Sequence, residues 1–195
     1  MITNKIEDKS SIFYPYVYWD NYFTDNELKE ILIYCENKKL EKASILNDEI
    51  DKLRVSKVNF SLPDEENRWI FNKLNNFVEL INHNFYGFDL TGYNVFQFTT
   101  YNHKENGHYS WHVDSAFSQP EKNGTGLQRK LSMTLLLNDD FEGGDFEINL
   151  SEPAKVDLVK GRAIFFPSFI LHRVAPVTKG VRKSLVIWVN GPRWK

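Results

Sequence analysis

The 195-residue sequence has little of what marks several large protein classes. Its one cysteine, Cys35, excludes an internal disulfide and leaves no thiol cluster to compete for a metal. A reducing compartment suits such a chain, and the cytoplasm is the default expectation. Neither sign of charge is in excess. The 24 Lys and Arg against 26 Asp and Glu give a net charge of −2, without the basic surplus of a dedicated nucleic-acid binder. A small cluster at Lys179, Arg182 and Lys183 is the local exception. No apolar run approaches the length of a membrane span, and the first ten residues lack the apolar core of a secretion signal, so a soluble protein is expected. Repeats, low-complexity tracts and composition breaks are also missing. A single domain is therefore expected over residues 1–195, long enough to bury a sizeable core.

What is present falls into two patterns. Up to about residue 90 the periodicity is helical. Thr24 and Glu27 stand in capping-box register, followed by Leu28, Ile31, Leu32 and Cys35 at helical spacing, which places Cys35 on a core face as a packed thiol. Pro63 and the acids after it suit the start of a second helix, with Trp69, Leu74, Phe77, Val78, Ile81 and Phe85 on its stripe and His83 near its end. Across 91–195 the period shortens to two. Val95, Gln97, Thr99 and Tyr101 alternate with Phe96 and Phe98. Further β-like runs cover 131–137, 145–150, 163–166, 169–174 and 184–189, with turn signals at 139–144, 160–161 and 178–180. Helices followed by many short strands predict an α+β, mainly β chain: a β-sandwich or jelly roll flanked by N-terminal helices.

Within the strand-rich region, His112, Asp114 and His172 are the residue types of the facial triad that holds non-haem Fe(II) and leaves coordination positions open. At i and i+2 on a strand, His112 and Asp114 point to one face. A jelly roll can bring the distant His172 opposite them. A carboxylate at 114 fills the position that a halide would need, which favours hydroxylation over halogenation. Arg182, ten residues past His172, supplies a cation for the far carboxylate of an oxo-acid chelated to the metal. The turn signal at 178–180 predicts an antiparallel hairpin between the strands of His172 and Arg182. Ser184 shares the Arg182 face as an added donor, and Tyr101 and Tyr109 are further donors near the pocket. His103 and His108 are rival ligands. His108 and His112 stand at i and i+4, yet the stretch lacks the Glu of His-Glu-x-x-His and does not read as a helix, so both are expected on loops. A lone His-x-Asp arises by chance in many sequences. With a strand-borne His and an Arg added, coincidence is a poor account.

Three stretches carry a family resemblance: Tyr109-Ser-Trp-His112-Val-Asp114-Ser-Ala; Leu131 through Asn138-Asp and Phe141-Glu-Gly143-Gly144-Asp-Phe-Glu; and Gly161 through Pro167-Ser and Leu171-His172-Arg-Val-Ala-Pro176 to Gly180-Val-Arg182. The segment from Tyr101 to Trp188 resembles the 2-oxoglutarate- and Fe(II)-dependent dioxygenases of the prolyl 4-hydroxylase type, and among them the PKHD-type branch of bacteria and phages. The resemblance implies a double-stranded β-helix with His112, Asp114 and His172 as iron ligands. It also implies Arg182 as the anchor for 2-oxoglutarate, Tyr109 near the active site and Trp188 lining the oxo-acid pocket. Fe(II), 2-oxoglutarate and O2 are the implied cofactor and cosubstrates, with ascorbate supporting activity and succinate and carbon dioxide as products. Collagen-type relatives use Lys at the anchor position, where this chain has Arg182. Some oxygen-sensing relatives place an oxo-acid-binding tyrosine where Leu136 stands, which leaves Tyr101 or Thr134 for that task.

A prolyl residue in a peptide or protein is the substrate implied by the resemblance, with a free amino acid or small metabolite as alternatives. Neither nucleic acid nor membrane is expected as a partner, and a nucleobase is disfavoured because the second arginine of that branch is missing after Arg182. Residues 115–128 read as a lid loop, Trp111 and Phe117 offer flat surfaces to a substrate, and Phe166, Ile187 and Trp188 are suited to excluding water. Two other classes compete. A zinc hydrolase could use the same triad, but it has no use for Arg182 and no general base stands out. A metal-free β-sandwich binding module would make the triad accidental.

Overall fold

The structure, a computed structural model, describes residues 13–43, 53–115 and 126–194. Thr24 caps the first helix, α1 (Asp25–Glu36): its Oγ1 accepts from Glu27 N, and Glu27 accepts in return from Thr24 N at 2.7 Å. Leu28, Ile31 and Cys35 form its buried face, and burial pushes the Cys35 thiol up to about 12, as fits a packed thiol. The second helix, α2 (Arg68–Ile81), starts later than the proline and acids suggest. Asp64 and Asn67 exchange side-chain to backbone hydrogen bonds of 2.8 Å, which fold this stretch into a turn before the helix begins. Its inner face is Ile70, Phe71, Leu74, Phe77, Val78 and Ile81, with Trp69 only partly buried. A π-helical turn, Asn82–Tyr86, follows and leaves His83 exposed.

Four short strands lie in the region that reads as helical: β1 (Val17–Trp19), β2 (Glu41–Lys42), β3 (Arg54–Val55) and β4 (Lys57–Ser61). The other nine are β5 (Phe96–Asn102), β6 (His108–His112), β7 (Leu127–Leu136), β8 (Phe141–Gly143), β9 (Phe146–Asn149), β10 (Pro153–Val156), β11 (Ala163–Pro167), β12 (Leu171–Val174) and β13 (Val177–Pro192). They form two antiparallel sheets. The larger runs β1-β11-β7-β13-β5-β4-β2, with β8 added beside β13; the smaller runs β10-β9-β12-β6-β3. The early strands thus extend both sheets, and the chain crosses from one to the other at Ser56, between β3 and β4.

Alternation along the large sheet sorts its side chains into two layers. Phe96, Phe98, Leu131, Met133, Leu135, Leu185, Ile187 and Val189 pack with α1 and α2 in one apolar cluster. The opposite face meets the small sheet, where Phe146, Ile148, Ile164, Phe166 and Val174 form a second cluster. Ile187, expected at the pocket, belongs to the helix side, because it is an odd number of residues from Arg182 on the same strand.

The hairpin expected between the strands of His172 and Arg182 does not form. β12 pairs with β6 and β9, whereas β13 pairs with β5, β7 and β8, so the two residues lie on facing sheets. The turn signal at 178–180 misleads because Gly180 lies inside β13, at φ +73°. A Cβ there would come within 2.5 Å of the Asp140 carbonyl oxygen, so the glycine serves a close approach to β8. No helix among the described residues is long and apolar enough to cross a membrane.

Candidate active site

The small sheet carries both imidazoles. His172 on β12 and His112 on β6 are cross-strand partners, with ring centroids 4.1 Å apart. Each Nδ1 lies on a backbone carbonyl two residues earlier: His112 on Ser110 O at 2.8 Å, His172 on Ile170 O at 2.9 Å. A carbonyl only accepts, so Nδ1 carries the proton and the Nε2 lone pair is turned to the third residue. Asp114 completes the group. Its Oδ1 is 3.7 Å from His112 Nε2 and its Oδ2 is 3.7 Å from His172 Nε2, and one ligand atom from each of the three lies within 4.8 Å of the others.

Asp114 does not sit on a strand, contrary to the i, i+2 expectation. β6 ends at His112, and the following backbone is held by the Ser168 carbonyl, which accepts from both Asp114 N and Ser115 N at 2.9 Å. Ser132 on β7 donates to Asp114 Oδ2 at 2.7 Å and lies 2.9 Å from Ser168 Oγ. Burial alone would raise the Asp114 carboxyl, but the two imidazoles and the Ser132 hydroxyl outweigh it and hold it below its ordinary value. Burial, then the neighbouring His172, lowers His112 to about 4. Near neutral pH the cluster thus offers a carboxylate and a neutral His112 lone pair, a donor set matched to a divalent metal such as Fe(II).

Arg182 faces this cluster from the large sheet. Only 2% exposed, it donates from Nη1 to Ser184 Oγ at 3.1 Å, while its Nε has no hydrogen-bond partner. Burial lowers its affinity for a proton, opposed by Tyr101 and Asp145, yet a guanidinium stays charged in a protein. No carboxylate pairs with it among the described residues. A buried, uncompensated cation is costly unless an anion joins it, so the site fits a ligand carboxylate such as that of 2-oxoglutarate. Gly144 makes room, since a Cβ there would meet Arg182 Cδ at 3.0 Å.

Of the other expected residues, Tyr101, Tyr109, Thr134, Ser184 and Trp188 all line the same cavity, whereas Leu136 faces an adjoining space behind Arg182. Tyr109 stacks on His112 at 3.4 Å, and burial pushes its phenol up to about 12, so it enters the site as a proton donor. Trp188 Nε1 is a buried donor without a partner. Phe166 packs on His172 at 4.5 Å. Trp111 faces Arg173, which lies 4.8 Å over its ring. His108 belongs to β6 rather than a loop, and His103, in a short 3-10 turn, donates from Nδ1 to Gly180 O at 2.9 Å; neither joins the cluster. Phe117 and residues 116–125 of the expected lid lie outside the described residues.

Several residues of the site carry no motif of their own. Ser132 and Ser168 fix the carboxylate. Asn138 holds the anchor strand on both sides of Arg182, donating to Val181 O at 2.7 Å and accepting from Lys183 N at 2.8 Å. Gln97, Arg54 and Phe146 complete the wall. Strand parity around Arg182 and Tyr101 could have identified Gln97. Nothing local points to Arg54.

Comparison with known proteins bears out the resemblance. Residues 96–190, just under half of the chain, match the family described as the 2OG-Fe(II) oxygenase superfamily. A PKHD-type hydroxylase of Synechococcus sp. (strain CC9902) is 43% identical over 85 residues, covering 42% of this chain and 36% of that protein. One from Xylella fastidiosa (strain M23) is 39% identical over 95 residues, covering 45% and 41%. The matches thus span about four tenths of the length of these curated relatives. A Pseudomonas putida prolyl-4-hydroxylase superposes with TM-score 0.73 at 18% identity, over 93% of this chain and 94% of that one. A Trichoplax adhaerens prolyl hydroxylase, solved with a hypoxia-inducible-factor peptide fragment, gives TM-score 0.71 at 18% identity over 90% and 83%. At these identities the structures show the shared fold: the expected double-stranded β-helix with flanking helices.

Proposed function

We propose, from the match of residues 96–190 to the 2OG-Fe(II) oxygenase superfamily, that the protein is a 2-oxoglutarate-dependent dioxygenase that hydroxylates a prolyl residue in a peptide or protein. The observation that carries this reading is the convergence of three metal-type ligand atoms beside a buried arginine that lacks a carboxylate partner. That arginine sets the reading apart from a zinc hydrolase, which would have no ligand for it. Convergence of the triad within 4.8 Å argues against an accidental cluster in a binding module. The prolyl assignment rests on the kinship with PKHD-type hydroxylases and on the prolyl hydroxylase fold.

His112, Asp114 and His172 would hold the iron. The Nδ1 protons of His112 and His172, on backbone carbonyls, and the Ser132 hydroxyl on Asp114 keep the donor atoms aimed before the metal arrives. Arg182 and Ser184 would take the distal carboxylate of 2-oxoglutarate, and Tyr101, with the guanidinium 5.6 Å from its ring, steadies that cation. Phe146, Phe166, Val174 and Val186 make the remaining wall apolar and keep water from the reacting carbon. When bound, iron and 2-oxoglutarate supply the oxidising chemistry: O2 is split between succinate, formed with carbon dioxide, and a hydroxyl group on the substrate. Ascorbate would keep the metal ferrous. The chain acts as one domain, with its helices and early strands backing the sheet that carries Arg182.

Anaerobic titration of the Fe(II)-loaded protein with 2-oxoglutarate tests this. A weak visible charge-transfer band is expected in the parent and lost in His172→Ala. Absence of the band in the parent, together with tight zinc binding, would move the protein to the hydrolase class.

A further inference from the structure

The larger open space is not the triad cavity but a neighbouring groove of about 650 Å³, and the two share Arg54 and Gln97 in their walls. Arg54 is 8% exposed. Its Nε donates to Ser56 Oγ at 2.8 Å, and its guanidinium lies 4.6 Å from the centre of the Tyr109 ring, which itself stacks on His112. The backbone beside it is fixed, since Arg54 pairs across the strands with Tyr109. Held on two sides in this way, the guanidinium has no ion pair with a carboxylate among the described residues, and its Nη groups make no hydrogen bond to them. Like Arg182, it is a nearly buried cation without an anion, and it stands at the mouth of the cavity.

Among the described residues, the groove it opens into is lined by Lys38, Lys39, Lys42 and Arg54 together with Glu41 and Asp64, and Lys39 pairs with Glu41 at 3.8 Å. Its apolar wall includes Phe60 and Leu62, which are 58% and 62% exposed. An apolar channel rich in cations, leading to a fixed guanidinium beside the metal ligands, complements an extended peptide with acidic side chains. Resting on the oxygenase reading of the same pocket, we propose that Arg54 is a specificity-determining residue: it binds a carboxylate of the peptide substrate next to the residue that is hydroxylated, and the groove takes the rest of that peptide. Arg182 and Arg54 then divide the anions between them, the cosubstrate at the floor and the substrate at the mouth.

The test uses fluorescein-labelled decapeptides with one central proline, flanked by Asp and Glu or by Asn and Gln, and reads binding by anisotropy on the anaerobic Fe(II) and 2-oxoglutarate complex. The acidic peptide is expected to bind about 10-fold to 100-fold tighter than its amide counterpart, as suits a charge-assisted hydrogen bond. Arg54→Gln should erase that ratio and Arg54→Lys restore part of it, while both variants keep the 2-oxoglutarate band. Lys38→Gln, on the groove wall and away from the cavity, should lower the ratio by a smaller factor. Equal binding of the two peptides, no binding of either, or an unchanged ratio in Arg54→Gln would overturn the proposal. Loss of the oxo-acid band in Arg54→Gln would also overturn it, by placing Arg54 in the cosubstrate site. A parent without the band would instead sink the oxygenase reading. The peptide ratio, which needs no turnover, is still read in that case, so the two failures are told apart.

Discussion

The two faces of the large sheet are built from the same strands and do opposite work. On β13, Leu185, Ile187 and Val189 pack against the helices, while Arg182, Ser184, Val186 and Trp188 line the cavity. The helix face is continuous hydrocarbon, and each residue there contributes through area removed from water. The cavity face keeps buried polar groups, including the uncompensated Arg182, and these oppose stability until a ligand meets them. The contrast teaches that stability and chemistry are segregated by single-residue parity.

Neighbouring substitutions on β13 should therefore act in opposite senses. Arg182→Met is expected to weaken 2-oxoglutarate binding about 100-fold or more, through loss of its charge-assisted hydrogen bonds, without lowering the denaturation midpoint. Leu185→Ala should cost about 2–5 kcal/mol of stability through the cavity it leaves, yet keep the oxo-acid affinity of the folded molecules. If both variants lose stability and affinity together, the two faces are not separable.

Acid should act on the cavity side alone. His112 sits at about 4 against an ordinary 6.5, so the unfolded chain takes up a proton that the native state refuses. Stability of the metal-free protein should be highest above pH 6.5 and fall as the pH drops toward 4, by at most about 3 kcal/mol. Asp114, held below its ordinary value, extends the loss below pH 3.8. Urea unfolding across this range would read it, and His112→Ala should flatten the upper part. A smaller effect is expected from Ser132→Ala. Deprived of its hydroxyl, Asp114 should lose about 10-fold to 100-fold in metal affinity at constant fold, measured by competition with a chelator.

The triad and Arg182 were legible because their chemistry demands particular residue types, and those types stood out in β-like runs. The capping box of α1 was legible for the same reason. What failed was geometry set by long-range pairing. A glycine with positive φ signals a turn locally, and only the approach of β8 turns Gly180 into part of a strand. Strands as short as β2 and β3 carry too few residues for a period to show. Ser132, Ser168 and Asn138 are ordinary polar residues whose roles come from register, and Arg54 becomes visible only when β3 is laid beside β6.

The suspension of Asp114 has a mechanical consequence. The two imidazoles belong to one sheet, whereas the carboxylate is moored by Ser132 and Ser168 to the strands of the other. An ion gripping all three would act as a rivet through the sandwich, adding to the hydrogen bonds by which Ser132 and Ser168 already hold Asp114. Iron withdrawal would then do more than silence chemistry. It would let the two layers breathe, and amide exchange should quicken together along β6, β12 and the facing stretch of β7, making metal status a property of the whole barrel.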